Sequence, residues 1–469
     1  MKRFLAFLLC LTMLASLAAC GSSTEESSGG GQSEVQTEDP FVPTNKTISV
    51  SWFVPWWMDA SDFDFIFDEF ARKHPGYTIV PNALEDLTSL LAAIQAGNQP
   101  DVWMGGDPNN TNFVSGCYQS LFKNLDDYLT RDPDLNFNTL DKNQMSLTKF
   151  AGGHYALPYQ TTQFCLVYNK TLFAKKGIDP EKPPVTWSEY LQYVKTLTDL
   201  SAPQIGVNNG PYSYLLENCG NRSGSLMANG IDSNMNSDWM LKVNQFCTEV
   251  EEVMKGKPGD VDFSLAKGNV AINAEGNMNV LNDYAAEGVD IGIAKMPRPD
   301  DDTIQNIPSL LWNFFSIPTG AKNPDGGWLF AKFCMTEGLY QSIAKDFQKN
   351  PSGLFPQFIA HKETRERVYS SFLSSIPEKT KKLIEARDKM VMEDELYIIP
   401  FSPIHSTFKA INSKWDQKQE AGEVGLADKL KGIHNEYQST LQGWKNDMIA
   451  KGWTFPEGAE AIPPEGYGK

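Results

Sequence analysis

An α/β body is predicted by three features of the sequence. Strand and helix patterns alternate between residues 47 and 104 at the spacing of parallel strand-helix-strand units. A second mixed block of short apolar runs and amphipathic segments follows from about Gly152 onwards. The chain has 469 residues, 41% of them apolar, which suffices for roughly two or three domains with packed cores.

Each element has a local reason. Thr47 to Phe53, TISVSWF, is the first strand. Phe63, Ile66, Phe67 and Phe70 fall at i, i+3, i+4 and i+7 and make one helical face, with Asp64, Asp68 and Arg72 opposite. His74-Pro75-Gly76 ends that helix, and Tyr77 to Val80 is a second strand. Leu87 to Ala96 is a helix stopped by Gly97. Asp101 to Met104 is a third strand, with Gly105-Gly106-Asp107-Pro108 as a loop at its carboxyl end. In the second block Tyr155 to Tyr159 is short and apolar, and Gln163 to Tyr168 is a strand. Helices are expected over Asn169 to Lys176 and Trp187 to Asp199, the latter opened by a capping box of Thr186 and Glu189. Residues 200–260 are mostly helical and polar. Asn269 to Asn273, Val289 to Ala294 and Phe314 to Ile317 are short strands; Trp328 to Gln348 is helical, and Lys379 to Met392 opens a long helical C-terminal region.

The N-terminus is a targeting segment. Lys2 and Arg3 precede an apolar run from Phe4 to Leu17, too short and wrongly flanked to span a membrane. The run ends in Leu17-Ala18-Ala19-Cys20 before Gly21, which resembles a bacterial lipobox. Residues 1–19 are then a signal peptide, and Cys20 becomes a lipidated first residue that holds the protein to the cell membrane. Residues 20–44 begin rich in Ser, Gly and Glu, with almost nothing to bury, and form a flexible tether. No later stretch could span a bilayer.

The formal charge of -17 and the lack of Lys/Arg runs argue against a nucleic-acid partner. Besides Cys10 and Cys20, five widely spaced cysteines remain, Cys117, Cys165, Cys219, Cys247 and Cys334, with no CxxC. Export permits a disulfide, but the sequence selects none; Cys165, in the apolar run FCLVYN, is expected to be buried.

Several segments converge on one family. Asn98-Gln99-Pro100-Asp101-Val102 followed by Leu125-Asp126-Asp127-Tyr128-Leu129 resembles the "NAPDV … LDDYI" start of extracellular solute-binding proteins, the maltose-binding-protein-like receptors of ABC sugar importers. Gly152 to Tyr159, GGHYALPY, resembles their "GKIYGLPY"; Leu166 to Phe173, LVYNKTLF, resembles "LYYNKDLF". Pro184 to Tyr190 is similar to "PKTWDEL", and Ser316 to Asn323 followed by Trp328 to Phe333 is similar to "IPKGSKN … AWKFLKF". Order and spacing agree from about residue 45 to 360 and thin out beyond about 365. The resemblance implies a two-lobed periplasmic-binding-protein-like fold, with a ligand cleft between lobes joined by a hinge. Carried over, the first lobe holds 45–155 and 312–346, and the second holds 160–308 and 350–469. It also implies a sugar ligand, ABC permease subunits as partners, and a monomer that needs no cofactor.

A sugar offers apolar C–H faces and a rim of hydroxyls, so its cleft needs aromatic plates edged by polar groups. Trp56 and Trp57, in WFVPWWMD, lie in the loop after the first strand, which the family fold places at the cleft mouth. One of them is expected to face ligand; the alternative is packing against Phe63 and Phe67. Trp52 is expected in the core. Asp107 at the edge of the third strand would accept two sugar hydroxyls, or cap a helix over 111–117. Tyr159 and Gln160 lie on the first crossing between lobes, where core or hinge packing is the alternative for Tyr159. Glu275 stands in Asn273-Ala274-Glu275-Gly276-Asn277, where relatives often have "DGPW". Asn277 or Met278 replaces the family aromatic there, which leaves Glu275 as a polar contact. Trp312, just before the strand returning to the first lobe, is the leading aromatic candidate, and Phe355, near the last crossing, is another.

Catalysis has little support. The sequence has no G-x-S-x-G, P-loop or G-x-G-x-x-G, and its five histidines show no metal-ligand spacing. Two classes rival the sugar receptor: a binding protein for a peptide, polyamine or other charged solute, and a surface glycan hydrolase with paired carboxylates.

Overall fold

The computed structural model describes residues 40–52, 60–82, 84, 86–108, 111–163, 165–208, 232–276, 289–300, 310–349, 358–393, 404–456 and 461–468. The signal peptide, Cys20 and most of the tether lie outside them, as does Cys219.

Three strands open the fold: β1 (Thr47–Trp52), β2 (Thr78–Asn82) and β3 (Val102–Pro108). They are linked by α1 (Ala60–Lys73) and α2 (Leu87–Gln95), and all pairing among them is parallel, with β1 in the middle. α1 buries Phe63, Ile66 and Phe70, the face its spacing predicts. Trp52 packs on that helix, its ring 5.0 Å from Phe63 and 4.8 Å from Phe67. Gly97 takes φ +69°, a left-handed stop after α2 that suits glycine. Then come α3 (Thr111–Tyr118), α4 (Asp126–Arg131), α5 (Lys142–Ser146), a short hairpin of β4 (Lys149–Phe150) and β5 (Gly153–His154), and β6 (Leu157–Gln163).

The second block holds β7 (Cys165–Asn169), α6 (Lys170–Lys175), α7 (Trp187–Leu197), β8 (Ile205–Val207), α8 (Asp238–Val253), β9 (Val270–Gly276) and β10 (Ile291–Ala294). The Thr186/Glu189 capping box forms as expected: Thr186 Oγ1 accepts from Glu189 N, and Glu189 Oε2 accepts from Thr186 N. Cys165 is buried, and burial pushes its thiol up to about 12. The chain then runs through β11 (Leu310–Ser316), α9 (Pro324–Phe333), one π-helical turn (Cys334–Gly338), α10 (Leu339–Lys349), β12 (Phe358–Ile359), α11 (Lys362–Phe372), α12 (Glu378–Glu393), α13 (His405–Glu420) and α14 (Leu426–Ala450).

Two main sheets result. The six-stranded sheet has the order β12-β6-β11-β3-β1-β2, and the four-stranded sheet has the order β10-β7-β9-β8. The chain leaves the first sheet at Gln163 and enters the second at Cys165; it returns between Ala294 and Leu310.

Three expectations are corrected. Gly105 to Pro108 is strand rather than loop, because β11 pairs antiparallel with β3 as far as Leu311 opposite Pro108. A proline is tolerated at such a strand end, where no further ladder donor is needed. The first sheet also extends through Gln163, so the lobe boundary moves from 155–160 to the Gln163–Cys165 crossing. Finally, residues 350–469 do not fold wholly with the second sheet. β12 joins the first sheet beside β6. Met448 and Trp453 are buried in the aromatic cluster of Trp103, Phe113, Phe122 and Phe314, with Tyr467 packed against it. The last turn is held there: Tyr467 Oη donates to Cys117 O at 2.6 Å, and Asn124 N donates to Gly468 O at 2.9 Å.

The other end of α14 sits elsewhere. Leu430, Ile433, Tyr437 and Leu441 pack with Met235, Met240 of α8 and Ile411 of α13. A Cβ at Gly432 would meet the Trp415 ring at 2.2 Å, so glycine permits that close approach of α13. α14 therefore has one end seated against α8, which covers the second sheet, and the other in a cluster on the first.

Buried and half-buried charges tie the helices together. Asp101 accepts Ser49 N and Asn323 N, each at 2.8 Å, joining β1 to the start of α9. Arg387 of α12 is fully buried against Asp388 at 2.6 Å and donates to Tyr369 Oη at 2.8 Å. Glu337, in the π turn, gathers Arg367 at 2.6 Å, Gln341 at 2.7 Å and Lys73 at 3.3 Å. Burial opposes ionisation of Glu337, but these donors outweigh it and hold its pKa down from 4.5 to about 2. A depressed folded pKa adds stability that is complete above the unfolded value and is lost as pH falls through about 2. The contribution is at most about 3 kcal/mol. Glu337→Gln is therefore expected to lower the urea midpoint at pH 7 and to lose most of that deficit by pH 3. A deficit equal at both pH values would refute the coupling.

Candidate functional site

The register of the first sheet sets the site. Trp312 on β11 lies opposite Asp107 on β3 and Thr161 on β6, and Thr161 lies opposite Phe358 on β12. One row thus runs Asp107–Trp312–Thr161–Phe358. The next row runs Gly106–Asn313–Gln160–Ile359. Neighbouring strands are about 4.8 Å apart, so three positions span about 10 Å, the scale of one or two sugar rings. Both rows lie within a few residues of the Gln163–Cys165 crossing and at the carboxyl end of β3, where ligands of open α/β sheets bind.

Asp107, Trp312 and Gln160, distant in sequence, are thereby brought to one end of one sheet. Glu275 comes to the other side of the crossing. β9 pairs with β7, Gly276 standing opposite Cys165 and Asn273 opposite Val167. Three steps on β9 against two on β7 mean an extra residue, a bulge, at Ala274–Glu275. A second bulge is on β6: Pro158 faces Phe314 and Gln160 faces Asn313, which leaves Tyr159 as the extra residue. Bulges bend a strand and re-aim its side chains, and they are frequent beside binding sites. Tyr159 is 4% exposed, and its ring packs 5.1 Å from Phe315. That packing takes up the ring, as the core alternative for Tyr159 describes. Trp56, Trp57 and Phe355 lie outside the described residues.

The structure adds polar groups that the sequence did not single out. Thr161 is 1% exposed and its Oγ1 has no hydrogen-bond partner. Gln144 of α5 is fully buried with both amide atoms unpartnered. Asn313 Oδ1, and Asn208 Oδ1 just after β8, are unpartnered as well. No sequence signal distinguishes Gln144, which sits in the polar run KNQMS. Among the described residues there is no group of three or more His, Cys, Asp or Glu placed to hold a metal ion, and no helix long and apolar enough to cross a membrane.

The two sheets, their crossing and the register at its edge define a two-lobed α/β binding fold. The chain belongs to the bacterial extracellular solute-binding proteins, whose family model matches residues 57–340. Among its relatives, the sn-glycerol-3-phosphate-binding periplasmic protein UgpB of Escherichia coli K12 is 24% identical over 281 residues, covering 54% of this chain and 63% of that one. UgpB of Salmonella typhimurium is 27% identical over 161 residues, covering 31% of this chain and 35% of that one. The chain thus spans less than two thirds of the length of the curated relatives it matches. Two solved structures share the fold. A solute-binding protein of an ABC transporter from Thermotoga lettingae, bound with α-D-tagatose, has 16% identity and a TM-score of 0.61, covering 85% of this chain and 100% of that one. An ABC substrate-binding protein from Listeria monocytogenes, in complex with cycloalternan, has 16% identity and a TM-score of 0.63 with the same coverage.

Proposed function

We propose that this protein is a lipid-anchored, non-catalytic receptor that captures an oligosaccharide or related sugar between its lobes and delivers it to an ABC permease. The observation that carries the reading is the strand register, which lines up Asp107 and Trp312 in one row with Gln160 in the next, beside the inter-sheet crossing. An aromatic plate edged by a carboxylate and an amide suits a sugar ring. Glu275 supplies a polar contact from the second sheet, and Trp56, Trp57 and Phe355 supply further plates. Ligand bridging both sheets favours the closed form by its differential affinity for it, and closure rotates about the crossings. The monomer is held to the cell membrane through Cys20, and the closed form docks on the permease. The UgpB likeness favours a second reading, a small phosphorylated polyol.

The test is tryptophan fluorescence of the body without residues 1–20, titrated with oligosaccharides, sn-glycerol 3-phosphate, peptides and polyamines. A saturable response to one glycan family, with the glycan intact after hours, is expected. Trp312→Ala should weaken that response at least about tenfold, or about 1.4 kcal/mol, while the circular dichroism spectrum is unchanged. Cleavage of the glycan would make the protein a hydrolase, and a response only to charged solutes would overturn the sugar.

A further inference from the structure

Two unpartnered polar side chains lie on neighbouring elements, Thr161 on β6 of the first sheet and Gln144 on α5. Thr161 stands opposite Phe358 in the β6–β12 pair, and residues paired across strands point to the same face. Phe358 belongs to the cluster that includes Leu147 and Val391. Gln144 and Leu147 are three residues apart on α5 and its C-cap, so they share a helix face. α5 packs against β6, and Asn143 Nδ2 ties it to the end of α12 by donating to Met392 O at 2.8 Å. Gln144 and Thr161 thus lie on the two elements that pack together there, α5 and β6. There Thr161 occupies the same row as Trp312 and Asp107.

A buried polar atom without a partner costs free energy, and an amide with both ends unpaired costs it twice. Such groups persist where an ordered water or a guest molecule satisfies them. We propose that Gln144 and Thr161 form a specificity subsite that takes a hydroxyl group of the solute next to Trp312. This rests on the receptor reading above and narrows it to a neutral, polyhydroxylated solute. Gln144 offers a donor in Nε2 and an acceptor in Oε1, and the Thr161 hydroxyl does both. A solute hydroxyl also donates and accepts, so it completes both side chains. An ionised phosphate or carboxylate only accepts and would face Gln144 Oε1 unpaired; an ammonium only donates and would leave Nε2 unpaired. A site built to hydrogen-bond a hydroxyl rejects analogues lacking it more strongly than an apolar pocket rejects a misfit methylene.

The test uses Gln144→Leu and Thr161→Val, which keep volume and remove hydrogen bonding. Without solute, each variant should unfold at the parent's temperature or above, because an unpaired group has been removed. With maltotetraose, cycloalternan or α-D-tagatose, whichever shifts the parent, each variant should bind at least about tenfold more weakly. Variants that unfold well below the parent without solute would show both groups satisfied within the fold and overturn the subsite. Variants that bind the sugar as tightly as the parent would overturn the subsite and leave the receptor standing. A parent that responds only to spermidine would overturn the hydroxyl assignment, and one that responds only to sn-glycerol 3-phosphate, which carries hydroxyls beside its phosphate, would overturn the neutral solute. A parent that responds to none of these probes would sink the receptor reading and the subsite with it.

Discussion

Replacing Lys332 by methionine is expected to cost about 3–5 kcal/mol of stability. Lys332 Nζ lies 2.9 Å from Asp132 Oδ1, and the Asp132 side chain is 0% exposed. Three further donors hold that carboxylate: Trp328 Nε1 at 2.7 Å, Asp134 N at 2.9 Å and Leu135 N at 2.8 Å. They orient it but bring no positive charge, so without the lysine a buried carboxylate stands uncompensated. The Lys332–Asp134 contact at 2.8 Å adds little, because Asp134 is 65% exposed. Asp132→Asn added to Lys332→Met should recover a large part of the loss by removing the stranded charge. Urea unfolding followed by circular dichroism measures both; a single variant within about 1 kcal/mol of the parent would show that the ion pair is dispensable.

Trp453→Ala is expected to cost a similar amount, about 3–5 kcal/mol, through transfer and cavity terms together. Trp453 is 3% exposed, and its ring lies 5.0 Å from Tyr118, 5.2 Å from Tyr467 and 5.9 Å from Phe150. It anchors the segment after α14 on the first sheet, whereas the cluster of Ile433 and Tyr437 anchors the helix itself beside the second. Loss of the indole should loosen the first cluster and leave the second intact. Calorimetry of the variant should therefore show an early transition separating from the main one. A single transition shifted by less than about 2 °C would mean that Trp453 carries no such share.

Much of the fold is legible in the sequence because its signals are local. The Phe63/Ile66/Phe70 face, the Gly97 stop and the Thr186/Glu189 box each form within a few residues of chain, where periodicity and capping chemistry decide. What is illegible depends on pairing across long separations. Gly105-Gly106-Asp107-Pro108 has the composition of a loop and becomes strand only because β11, some two hundred residues later, lies beside it. The same long-range register aligns Asp107 with Trp312 and places Gln160 in the adjoining row, so the site candidates could be named singly but not assembled. Tyr159 illustrates a finer limit: one extra residue on β6 decides where its ring goes, and no propensity predicts a bulge. Gln144 reads as a solvated helix residue until α5 is seen packed against β6.

The 25 residues of α14 make it about 37 Å long, with its two ends seated on different parts of the molecule. Such a helix acts as a lever. Ile433 and Met448 are about 22 Å apart along its axis. Every 10° or so of rotation about the Ile433 seat sweeps Met448 through about 4 Å, a whole contact distance between apolar side chains. Helices bend only gently without a kink, so motion of one sheet against the other is felt at the far seat rather than absorbed along the way. In the proposed receptor, closure on a ligand would have to drag that seat along or wrench it loose, so the C-terminal segment would set how far the jaws can travel.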